Sequence, residues 1–149
     1  MKEKNNEKEY WKDISNIKKG YSSFFSDKQK KILVDLFLKY KKKEKDSYLL
    51  EAGSGWGYYV KAFSHYNKKV IGLDFEKKMI ETSKEICKET KNIELIQGDV
   101  RKLPFKKDYF DYVVSYGVVE HFDETQKAID EFYRVLKKKG LLFISVPSA

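Results

Sequence analysis

The sequence is poor in residues that cross-link a chain or bind metals. Among 149 residues there is one cysteine, Cys87, and there are two histidines, His65 and His121. A single thiol excludes an intrachain disulfide and any multi-cysteine zinc or iron–sulfur site, and two imidazoles give no basis for a histidine-built metal centre. No stretch approaches the roughly 18 consecutive apolar residues of a membrane-crossing helix. The amino terminus, Met1-Lys2-Glu3-Lys4-Asn5-Asn6, is charged and leads into no apolar run, so it does not read as a signal peptide. A reducing, cytoplasmic setting is the expectation. Arginine is scarce as well: Arg101 and Arg134 are the only two among 31 basic side chains.

What is present suffices for one folded domain. The chain is 41% apolar and 15% aromatic, which excludes disorder over its whole length. The net charge is +8, and residues 1–46 hold 14 lysines against 8 acids. Arginine is the preferred residue for bidentate recognition of bases and phosphates. An excess built from lysine alone therefore reads as a solvated face, and nucleic acid is not an expected partner.

Two regions separate by pattern. Residues 1–46 read as an N-terminal helical arm or lid. Tyr10, Trp11, Ile14, Ile17, Tyr21, Phe24 and Phe25 interleave rings with aliphatics, and so many exposed rings would be costly in water. Residues 28–43 form a helix with Ile32, Leu33, Leu36, Phe37 and Tyr40 as its apolar stripe. Residues 47–149 alternate short apolar runs with amphipathic helices. Strands are expected at 48–50, 70–73, 93–96, 110–116 and 141–146, and helices after residue 57, at 76–90 and at 124–138. Asp123 and Gln126 suggest a capping box for the last helix, and Gly140 suggests its left-handed C-cap. Alternation of this kind implies parallel pairing through right-handed crossovers, an open doubly wound α/β sheet. Ligands of such sheets bind at the carboxyl ends of the strands, near the point where the strand order reverses.

The chemistry-bearing residues fall at those ends. Glu51-Ala52-Gly53-Ser54-Gly55-Trp56-Gly57 joins the first strand to a helix, and glycines there let the backbone bend and a ligand approach the main chain. A dinucleotide fingerprint would place its third glycine at position 58, which is Tyr58, and no Gly-Lys-Ser/Thr follows to make a P-loop. The Glu51 carboxylate also fits a pyrophosphate poorly and a positively charged ligand better. Asp74 ends the second strand, where a carboxylate can accept both hydroxyls of a ribose. Asp99 follows the third. In a parallel sheet all three acids lie along one edge.

This constellation resembles the class I S-adenosylmethionine-dependent methyltransferases, in particular their small-molecule, type 11 branch. Glu51 to Gly57 matches the family's acidic-x-Gly-x-Gly-x-Gly motif. Gly72-Leu73-Asp74-Phe75 is similar to its second strand, and Gly98-Asp99-Val100 to the segment after its third. Leu103-Pro104-Phe105, Phe110-Asp111-Tyr112-Val113, Val118-Val119-Glu120-His121-Phe122 and Leu136-Lys137-Lys138-Lys139-Gly140-Leu141-Leu142 resemble later blocks in the family's order, with Lys139 where a glycine or proline is common. Strand four is not followed by the Asn/Asp-Pro-Pro-Tyr/Phe of DNA amino-methyltransferases, and no Pro-Cys pair supports a covalent cytosine mechanism.

The resemblance implies a sheet in the order 3-2-1-4-5 with helices on both faces and S-adenosyl-L-methionine as cofactor. It implies that Glu51 steadies the methionine end against Gly53, Ser54 and Gly55. Asp74 would hold the ribose, Phe75 and Met79 flank the adenine, Asp99 with Val100 read its amine, and Tyr116 with Gly117 line the floor near the reactive methyl. No catalytic base is assigned, His121 being the one weak candidate. The expected activity is methyl transfer to a small-molecule or lipid-like acceptor. The alternative is a cofactor-binding module or fragment without independent catalytic activity. Family members continue past strand five with two more strands, one of them beside it. Here the sequence stops at Ala149, so the fifth strand is expected to leave an apolar edge open to self-association or a partner chain.

Overall fold

The computed structural model describes residues 26–148. The aromatic arm between Tyr10 and Phe25 lies outside them. Five strands form one parallel sheet: β1 (Tyr48–Ala52), β2 (Lys69–Asp74), β3 (Ile93–Gln97), β4 (Phe110–Tyr116) and β5 (Leu136–Ser145), in the order β3-β2-β1-β4-β5. The expected order is borne out, and the reversal lies between β1 and β4. Glu51 is paired in register with Gly72 on one side and Val114 on the other, at the centre of the sheet.

Helices cover both faces. On one, α1 (Asp27–Tyr40) and α2 (Tyr58–Ser64) bury Val34, Phe37, Val60, Ala62 and Phe63 against Leu49, Val70, Tyr112 and Val114. The Phe37 ring stands 4.6 Å from Phe63, 5.2 Å from Tyr112 and 5.3 Å from Phe143, so it ties α1 to α2, β4 and β5 at once. On the other face α4 (Thr125–Val135) seats Ala128, Phe132 and Val135 against Leu50, Ile71, Phe110 and Val113. The remaining helix, α3 (Lys77–Ile86), packs on β2 and β3 beside α2.

Several local expectations are corrected. The α1 stripe is rotated: Val34 and Phe37 point inward with Leu33 and Leu38, while Ile32, Leu36 and Tyr40 stay exposed. The capping box is at the other end of the chain. Ser26 and Gln29 exchange side-chain-to-backbone bonds at 3.3 and 2.8 Å, whereas Glu124 caps α4 without any side-chain bond to its backbone. Helix α4 ends at Val135, three residues early, because Leu136 already pairs with Phe110. Residues 137–140 then bulge out before Leu141 pairs with Tyr112. The left-handed residue of that bulge is Lys139, with φ 67°, and not Gly140. What Gly140 supplies is room, since a Cβ there would stand 2.8 Å from the Leu136 side chain and 2.9 Å from the Asp111 carbonyl oxygen. Strands β1 and β4 are buried on both faces, but β5 is not. Leu142 and Ile144 are exposed along it, as is Val146 just past its end.

Replacing Phe37 by alanine removes a ring that three elements share, and we expect a loss of about 3–5 kcal/mol in unfolding free energy, measured by chemical denaturation.

Candidate functional site

The turn between β1 and α2 carries three glycines with positive φ: Gly53 at 83°, Gly55 at 51° and Gly57 at 81°. Their surroundings differ. A Cβ on Gly53 would stand 2.3 Å from Val118 Cγ2, and one on Gly57 would stand 2.7 Å from Ser83 Cβ. A Cβ on Gly55 would meet nothing within 4 Å among the described residues. The turn is thus wedged between α3 and the segment after β4, and its main chain is open at one residue. Its amides are tied to β2: Gly53 and Ser54 donate to the Leu73 carbonyl at 2.7 and 2.9 Å, and Gly55 donates to Asp74 Oδ2 at 2.8 Å.

Glu51 lies beneath this turn, 2% exposed, among apolar neighbours. The Val60 amide of α2 donates to its carboxyl, but Oε2 has no hydrogen-bond partner among the described residues. Burial, reinforced by the nearby Asp74 charge, pushes the Glu51 carboxyl well above the ordinary carboxylate range. The buried Ser54 Oγ, Ser115 Oγ and Tyr116 Oη likewise lack hydrogen-bond partners among the described residues. The Tyr116 phenol is pushed up by the same burial and by Glu51. Asp74 sits at the mouth of the turn, its Oδ1 accepting the Glu76 amide at 2.9 Å. Asp99 lies one strand further on, past the Gly98 amide that donates to the Asp74 carbonyl at 2.9 Å. The sheet therefore brings the three acids to one edge in strand order, and couples Glu51 to Asp74 directly.

The family described as "Methyltransferase domain" matches residues 50–144, which include every element from the end of β1 to β5. The chain belongs to the class I S-adenosylmethionine-dependent methyltransferases, type 11 branch. The uncharacterised methyltransferase YcgJ of Bacillus subtilis is 36% identical over 94 residues, 62% of this chain and 37% of that protein. Its crystal structure superposes with a TM-score of 0.73 at 31% identity, covering 76% of this chain and 50% of that one. The PH0226 protein of Pyrococcus horikoshii gives a TM-score of 0.72 at 32% identity, covering 81% and 55%. The demethylmenaquinone methyltransferase of Staphylococcus haemolyticus is 39% identical over 74 residues, 50% of this chain and 31% of that enzyme. The chain thus spans only about a third of the curated relatives it matches, and about half of the solved structures.

The residues present fit the methyltransferase cofactor. A buried carboxyl oxygen without a hydrogen-bond partner among the described residues suits its ammonium and sulfonium charges, and the main chain at Gly55, open among those residues, allows close approach. Of the other expected residues, Phe75 is 65% exposed at the start of the loop after β2, Met79 is half-buried on α3, and Val100 is buried in the second core. Val100 can therefore offer a passing ligand only its main chain. His121 is exposed on a one-turn 3₁₀ helix (Val119–His121), its Nε2 3.7 Å from Glu120 Oε1. Cys87 is buried with its thiol pushed up to about 11, which suits an inert packing group. Among the described residues no cluster of metal-ligating side chains occurs, and no helix is long and apolar enough to cross a membrane.

The sequence reading missed two contributors. Val118 closes over Gly53 and forces that position to lack a side chain. Arg101 engages Asp99 through its backbone amide, Nε and Nη2. The signal for Arg101 was there, an arginine in a chain that otherwise uses lysine.

The Glu51 environment makes a pH prediction. A carboxyl whose folded value is raised binds its proton more tightly in the folded state. Stability from this group is then lost as pH climbs above the unfolded value of about 4.3 toward the folded one. The Glu51→Gln protein should melt above the parent at pH 8, and the gap should close as the pH falls to about 4.3, read by thermal denaturation across pH.

Proposed function

We propose that this chain catalyses methyl transfer from S-adenosyl-L-methionine to a small-molecule or lipid-like acceptor by in-line displacement. The observation that carries the reading is the pairing of the donor-less Glu51 Oε2 with the unobstructed main chain at Gly55. When bound, the cofactor supplies a methyl group already activated by a sulfonium, so the protein's task is placement.

Each residue's role follows from what its atoms can still accept. Glu51 meets the cationic methionine end, directly or through water, while Gly53, Ser54 and Gly55 let that end lie along the chain. Asp74 has one amide on each oxygen and keeps a lone pair on each for a ribose hydroxyl. Phe75 and Met79 flank the purine, and Asp99 with the main chain of Val100 takes its exocyclic amine. Tyr116, whose hydroxyl is buried above Glu51, forms the floor below the transferring group with Gly117. Fixing nucleophile and methyl in line can supply several kcal/mol, up to roughly 7–11 in the best intramolecular cases. A base is needed only for an acceptor that must lose its proton before attack. His121 is the residue we place on that side.

The relatives' names point to no single acceptor: one is an uncharacterised methyltransferase and another acts on demethylmenaquinone. The exposed flank of β5, with Leu142 and Ile144, supports a second reading in which the chain holds the cofactor but needs a further segment from another chain to build the acceptor side. Release of S-adenosylhomocysteine in the presence of a panel of quinone and small-molecule acceptors separates the two readings, since only the first predicts turnover by this chain alone.

Titration calorimetry tests the cofactor itself. We expect binding heat with S-adenosylhomocysteine and none with NAD, and a reversed result would overturn the proposal. Asp74→Ala should weaken S-adenosylhomocysteine binding by about 1–3 kcal/mol through lost ribose hydrogen bonds, and unchanged affinity would remove Asp74 from the site.

A further inference from the structure

Both arginines of this lysine-rich chain are held at several points at once, but they hold different things. Arg134 donates to the carbonyls of Phe105 and Leu103 at 2.7 and 3.0 Å and pairs with Glu131 of its own helix. It pins the loop before β4 to α4. Arg101 bonds to no backbone carbonyl among the described residues. Its amide and Nε donate to Asp99 Oδ1 at 2.8 and 3.0 Å, and its Nη2 donates to Asp99 Oδ2 at 2.8 Å. The far end of the same guanidinium donates to Glu124 Oε2 at 3.1 Å, and its carbon lies 5.2 Å from the centre of the Phe122 ring. One side chain therefore bridges the turn after β3 and the segment between β4 and α4.

That geometry limits what Asp99 can offer. A carboxylate has about four lone-pair sites. The fork of Arg101 covers the two that face each other, its Nε shared between Oδ1 at 3.0 Å and Oδ2 at 3.2 Å, and the amide takes the remaining one on Oδ1, so three donor protons meet four sites. A single outward lone pair is left, on Oδ2. The contact to Glu124 and the stacking on Phe122 fix the guanidinium, which in turn fixes where that lone pair points. An ion pair exposed to this degree adds little to stability, so the bridge calls for another reason.

We propose that Arg101 is the positioning residue that sets the chain's preference for a purine bearing an exocyclic amine, by holding Asp99 with one acceptor site turned to the ligand. This rests on the reading of the site as one for S-adenosylmethionine. The guanidinium also holds the Asp99 carboxyl below its ordinary range, so it stays acceptor-only. An acceptor-only group attracts an amine and repels a carbonyl oxygen at the same place. Lysine cannot substitute, because it brings the charge without the fork.

The test compares S-adenosylhomocysteine with S-inosylhomocysteine, in which the amine is replaced by a carbonyl oxygen, by titration calorimetry on the full chain. The parent protein should favour the adenosyl ligand by roughly tenfold or more. Arg101→Gln and Arg101→Lys should both bring the ratio most of the way to one, with melting temperatures close to the parent's. Asp99→Asn, whose side-chain amide can donate to the carbonyl oxygen, should shift the ratio toward the inosyl ligand. A parent protein that binds both ligands equally overturns the proposal. So do Arg101 variants that keep the parent ratio, including variants that lose stability or bind both ligands equally more weakly. A parent protein that binds neither ligand overturns the cofactor reading itself, and this inference with it.

Discussion

A carboxyl group buried at the middle of a parallel sheet, with one oxygen lacking a hydrogen-bond partner among the described residues, is the constraint around which this molecule is arranged. Glu51 occupies a position whose register partners are Gly72 and Val114 and whose strand neighbours are Leu49, Leu50 and Ala52. An apolar residue would be cheaper there, because removing a carboxylate from water without full compensation costs several kcal/mol. Asp74 at the next strand end adds to the cost. Such an arrangement makes sense where a cation arrives from outside and supplies the missing partner.

The glycine turn follows from the same need. It must leave β1 directly above Glu51, tie back to β2 and enter α2 within a few residues. Two of its glycines are demanded by neighbours, Gly53 by Val118 and Gly57 by Ser83, while Gly55 is demanded by its positive φ and by no neighbour among the described residues. That gap is where a ligand can touch the backbone. The packing of α3 on one side and of the segment after β4 on the other flanks the gap, which would link distant core packing to the proposed cofactor binding.

Much of this was legible in the sequence because the signals are local and periodic. The parallel sheet and the three acidic strand ends follow from an alternating pattern and the position of one glycine-rich turn, while the strand order came from the resemblance to the family. What was not legible depends on long-range pairing. Leu136 reads as helical by its spacing after Phe132, but pairing with Phe110 pulls it into β5, and the bulge that follows places the left-handed conformation on Lys139. Helix α1 offers two overlapping apolar stripes, and only the shape of the surface under Phe37 selects the one containing Val34 over the one containing Ile32. In the site, the acids and glycines were readable, but the closure of Val118 over Gly53 needs a contact between residues 65 positions apart. Arg101 could have been singled out by its rarity, yet its reach to Glu124 and Phe122 belongs to the fold.

The most direct test of the central claim is a crystal structure of the chain with S-adenosylhomocysteine bound. The account predicts that the ligand's amino group, or one water attached to it, lies within hydrogen-bonding distance of Glu51 Oε2, with the methionine portion against Gly55. A ligand bound elsewhere, or bound with Glu51 Oε2 still lacking a partner, would contradict it.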